Sequence, residues 1–153
     1  MKINIDINLL EELTADSKPL WGKMTAQHMI EHVCAAVKGS NGKITFKDCM
    51  NPPEKYPLLK RFLIGNRELP KNFVNTVIGE GLKPLQNKNF EEAKRELIEE
   101  VDCFYKFFKD SGSLRVMNPT FGPLNFEEWI VFHTKHFKHH FSQFGLMGES
   151  NIS

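Results

Sequence analysis

The sequence predicts an all-α fold, and three observations carry that reading. Residues 89–110 and 126–144 each repeat apolar side chains at spacings of three and four. Each stretch follows an Asn with a Glu three residues on, the pattern of a capped helix start. No strand-like alternation competes anywhere in the chain, and no internal repeat is visible.

Taken in order, "DINLLEEL" at 6–13 reads as a short first helix with Ile7, Leu9, Leu10 and Leu13 inward. A second helix begins at Thr25, a good N-cap, and continues to about Gly39. Met29, His32, Val33 and Ala36 share one of its faces, so His32 points toward the core. His28 lies one turn earlier, near the same face. Residues 39–89 hold five of the eight prolines and five of the ten glycines, which breaks any long helix there. Only "YPLLKRFLIGN" suggests a short one. Apolar residues are too scattered in this segment for a core of its own, so it is expected to cover one end of the structure.

The third long helix, 89–110, is capped by Asn89 with Glu92 at the third position. Phe90, Ala93, Leu97, Val101, Phe104, Tyr105 and Phe108 form its inward stripe, and Gly112 is expected to supply a left-handed stop. The fourth, from Phe126 to about Phe144, has Asn125 as cap, Glu128 as its partner and Gly145 as terminator. At about 1.5 Å per residue it spans roughly 28 Å, the length of a bundle helix.

Bulk properties narrow the function. A chain of 153 residues suits one domain, here 1–153, and 13 Phe supply large apolar volume for packing helices. A formal net charge of +1 leaves no electrostatic footprint for nucleic acid or an acidic membrane. No segment approaches the run of about 18 apolar residues that spans a bilayer. Cys34, Cys49 and Cys103 form no CxxC pair, and no apolar leader opens the chain, so a reduced, cytoplasmic protein is expected. Nothing beside those thiols marks one as activated.

The chemistry concentrates in "HTKHFKHHFSQFG", residues 133–145, which holds four of six histidines. On a helical wheel Trp129, Phe132, His140 and Gln143 lie within about 40° of His136, while His133 and His139 fall near +60° and −60°. Two histidines therefore occupy a face where a bundle ordinarily places Leu, a broken local rule of the kind found at functional sites. His136 and His140, four apart, have a chelating spacing, and His32 on another helix can close a triad. Three imidazoles leaving open positions describe a catalytic metal site for zinc, nickel, iron or copper. The opposing reading is a set of hydrogen-bonded core histidines, with Trp129 and Phe132 as plain packing. "HMIEH" (His28, Glu31, His32) also matches the H-x-x-E-H pattern of inverted zinc peptidases, but no third-ligand signal follows it. A four-histidine variant with His28 beside His32 stays open.

"PLWGKMTAQHMIEH", "NPTFGPLNFEEW" and "HFKHHFSQFG" together resemble the DinB/YfiT-like superfamily, within it the branch with W-G-K-M and H-x-x-H-H-x-x-Q-F-G segments. The likeness runs in order through most of the chain and is thin over 40–89. It implies a DinB-like four-helix bundle with a long crossover connection, and a divalent metal, zinc or nickel first, on His32, His136 and His140. His140 is preferred to His139 because it stands three residues before Gln143. His28 stands where relatives often carry Gln. His28, Trp129, His133, His139 and Gln143 are then candidates to flank the metal or face a substrate. The resemblance further implies a metal-dependent thiol transferase or hydrolase acting on a small molecule, with a low-molecular-weight thiol as partner. No catalytic base is assigned. The alternative expectation is a non-catalytic metal-binding or dimerising bundle, and a homodimer suits either.

Overall fold

The structure, a computed structural model, describes residues 2–71 and 82–147. Its described part is mostly helical: α1 (Ala26–Ser40), α2 (Tyr56–Ile64), α3 (Phe90–Phe108) and α4 (Phe126–Gln143), with 3-10 turns at Ile7–Glu12 and Pro53–Lys55.

The helix starts follow the capping chemistry. Thr25 Oγ1 accepts the His28 amide, and Asn89 accepts that of Glu92. Asn125 and Glu128 cap each other reciprocally at 2.9 Å, so α4, the helix with most of the histidines, has the firmest start. α4 ends where Gly145 adopts φ +73°, as expected. Gly112 does not take the left-handed conformation. α3 closes instead through backbone turns, with the Ser111 amide on the Phe108 carbonyl at 3.1 Å.

The first segment differs from expectation in kind. Ile7–Glu12 is a 3-10 turn capped by Asp6, with Leu10 and the following Leu13 buried. So short a segment closes too few i→i−4 bonds to offset helix nucleation.

The absence of strands is also corrected. β1 (Val116–Asn118) and β2 (Gly122–Leu124) pair antiparallel, Asn118 opposite Gly122. Asn118 Oδ1 accepts the amides of Thr120 and Phe121, which folds the tight connection. Gly122 sits at φ +82° with the Tyr56 ring where a Cβ would stand, 2.6 Å from its nearest atom. Strands of three residues are too short to show a period of two, so the sequence pattern carried no sign of them.

α1 packs along α3 and also against α4. His32 in mid-α1 meets His140 near the end of α4, and Ser40 at the end of α1 meets His133, so α1 and α4 run antiparallel. α4 is buried on two sides rather than one. Ile130, His133, Phe137 and Phe141 enter the aromatic core, while Phe132, His136, His140 and Gln143 border a cavity. The expected cover supplies α2 and lines that cavity with Ile44, Phe46, Met50 and Leu59, but its residues 72–81 lie outside the described part.

Candidate metal centre

α1 and α4 bring three imidazoles together. The ligand nitrogens of His32, His136 and His140 all lie within 4.8 Å of one another. The Nε2 atoms of His32 and His136 are 3.1 Å apart, and the three rings meet edge to face with centroids 4.7–5.0 Å apart. No other group of three His, Cys, Asp or Glu among the described residues has this proximity.

Gln143 sets the tautomer of His140. Its amide nitrogen donates to the Trp21 carbonyl at 3.0 Å, so its oxygen must face His140 Nδ1, 2.7 Å away. Nδ1 therefore carries the proton and Nε2 keeps its lone pair for the cluster. Gly22 makes this possible: at φ +82°, an added Cβ would stand 2.7 Å from the Gln143 nitrogen. His136 is positioned differently. Its ring stacks on Phe132 at 5.2 Å, and its buried Nδ1 has no hydrogen-bond partner.

Burial keeps all three rings neutral. His32 is pushed down to about 4 by desolvation, with His139 adding to the effect. His136 and His140 lie well below the usual imidazole value, through burial first and neighbouring imidazoles second. Neutral imidazole is the form that binds a metal. Three neutral nitrogens from two helices, one with its tautomer fixed, fit a divalent transition ion on bonds of about 2.0–2.1 Å. The widest pair needs a small inward turn of one ring.

The other candidate residues divide into three groups. His28 lines the cavity, but its Nδ1 is 2.6 Å from the capping Thr25 hydroxyl, and it is not part of the close cluster. His139, half-buried, lines the cavity edge-on to Trp21 and bonded to the Leu69 backbone. His133 lies away from the cavity, fully buried, with Nε2 2.8 Å from Ser40 Oγ. Ser40 donates to the Val37 carbonyl, so His133 donates to Ser40. Trp129 and Phe132 pack in the core and also touch the cavity.

The cavity has a volume of ≈ 1090 Å³, at the upper end of small-molecule sites. Glu31 is the one carboxylate in its lining among the described residues. Burial opposes its ionisation, but bonds from Gln27, Gln86 and Asn87 outweigh that and hold its pKa below the usual value. Those bonds fasten residues 86–87 to α1, a role with no local signature because the partners are some 55 positions apart. The cysteines are free, and the Cys34 thiol is pushed up to about 12 by burial and Glu96, the opposite of an activated thiol. No helix of the described residues is long and apolar enough to cross a membrane. Comparison with protein-family models, curated proteins and solved structures yields no match.

Proposed function

We propose that this protein is a metal-dependent enzyme of the DinB/YfiT-like type, with a divalent ion, zinc or nickel first, on His32, His136 and His140. One observation carries the reading: the three neutral imidazoles converge at the lining of a cavity large enough for a small molecule. A sealed cluster would have favoured the non-catalytic module. The four-helix arrangement belongs to the same proposal, with α1, α3 and α4 as long members and α2, which packs on α4, as the short one.

A divalent ion at such a site lowers the pKa of a thiol or water and so supplies a nucleophile at neutral pH. The chain's own groups do the rest. Gln143 holds a proton on His140 Nδ1 and so keeps Nε2 available. Phe132 and Trp129 wall the site with apolar surface, which excludes bulk water and strengthens local electrostatics. Glu31 is committed to structural hydrogen bonds and is not offered as the base.

The test is elemental analysis of untagged protein and of His136→Ala. About one transition ion per chain in the parent and loss in the variant is expected. No metal in either sinks the reading.

A further inference from the structure

The β1–β2 hairpin carries a buried amide that is only half used. Asn118 is fully buried, and its Oδ1 accepts the Thr120 and Phe121 amides at 2.9 and 3.1 Å. Two N–H donors meeting at one atom fix which end of the side-chain amide is oxygen, because a flipped NH2 would face them. Nδ2 is therefore held on the other side. This buried atom has no hydrogen-bond partner among the described residues. A buried amide nitrogen in that state has given up water and gained no bond, so it calls for an acceptor.

The place of Asn118 says where an acceptor can come from. It belongs to the wall of the same cavity that the histidine cluster borders. Phe46, Met50, Leu59, Phe62 and Phe121 line that cavity too. Phe62 stacks on Phe121 at 6.4 Å, and Phe121 meets Phe132 at 6.0 Å, so an aromatic wall runs from the hairpin to α4. Phe132 in turn stacks on His136. An apolar surface is thus joined to one donor whose orientation the hairpin backbone fixes. A carboxylate seated against these rings would exchange its hydration for a neutral donor, which does not compensate it. A neutral carbonyl oxygen is satisfied by that one bond.

We propose that Asn118 is a substrate-positioning residue, its Nδ2–H donating to the carbonyl oxygen of a neutral compound with an apolar body bound in the cavity. This rests on the reading of the cavity as the approach to the histidine centre, and it names the substrate class for that centre.

The experiment uses benzylacetone beside its methylene analogue, in which CH2 replaces the carbonyl oxygen. Calorimetry gives the affinity of each for chelator-treated and metal-loaded protein. The infrared carbonyl stretch, lower in frequency when the oxygen accepts a hydrogen bond, reports the contact itself. Both measurements are repeated on Asn118→Asp in mildly alkaline buffer, with metal content followed throughout. That change keeps an oxygen on the two backbone amides and replaces the NH2 donor with a second oxygen. In the parent the stretch of the bound ketone should lie below its value in hexane, with and without the ion. In the variant the ratio of ketone to analogue affinity should fall at least tenfold, and metal content should not change. Should the variant fail to fold, the stretch in the parent keeps the test decisive. A bound ketone with an unshifted stretch, a shift seen only with the ion present, or an unchanged ratio in the variant overturns the inference. Metal uptake without ketone binding also overturns it and leaves the metal reading standing. A shifted stretch in a protein that takes no metal does the reverse.

Discussion

Two turns of α4 use the same side chain for opposite ends. His133 and His140 are both buried, on one helix, with imidazoles well below their usual pKa. His133 stacks on Trp129, meets Phe104 edge to face, and donates Nε2–H to Ser40. His140 donates the other nitrogen, Nδ1–H, to Gln143 and turns Nε2 toward two further imidazoles. Burial and a low pKa therefore do not distinguish a core histidine from a candidate ligand. The partner of each ring nitrogen does.

The sharpest way to break this contrast is a pair of substitutions. His140→Ala should abolish metal binding, while His133→Ala should keep about one ion per chain, both read by elemental analysis. Loss of metal in both would mean that the two turns act as one site. His133→Ala should instead weaken the fold, by roughly 3 kcal/mol in urea unfolding, through the void beside Trp129 and Phe104.

The Gln143 contact comes next in size. Gln143→Leu frees the tautomer of His140 and should lower metal affinity about 10- to 100-fold, measured by competition with a chromophoric chelator. Ser40→Ala, the matching change under His133, should leave that affinity untouched. Gly22→Ala forces an L side chain to φ +82° against Gln143, and a cost of roughly 1–2 kcal/mol is expected from the strain alone.

A further effect appears only in acid. Burial lowers His133 to about 3 from 6.5, so between those values the unfolded chain binds the extra proton. Stability is therefore complete above pH 6.5 and declines as pH falls toward 3. His133→Leu removes this contribution, and its Tm should fall less steeply over that window than the parent's. An identical slope would show that His133 does not titrate with unfolding.

Much of the frame was legible because local chemistry announces it. Thr25, Asn89 and Asn125 cap where their side chains allow, and of the predicted α3 stripe Phe90, Ala93, Leu97, Phe104 and Phe108 are buried while Val101 and Tyr105 are half-buried. The histidine cluster could be read from four-residue spacing joined to one inward residue on a second helix. The wheel misplaced His133 because it assumed one buried face, whereas α4 is enclosed on two. Ser40 gave no signal, since a serine at a helix end is ordinary until a histidine 93 residues away donates to it. The cavity was equally silent: its wall is assembled from scattered apolar residues between Ile44 and Leu69, which become a surface only when the chain folds over α4.

The imidazoles of His32, His136 and His140 are proposed to form a metal centre open to the cavity. Anomalous diffraction at the edge of the metal that co-purifies tests it most directly. The account predicts one peak among His32, His136 and His140, with a coordination position facing Phe132 and the cavity. A peak at His28 or His139 instead, or none among the three rings, would contradict it.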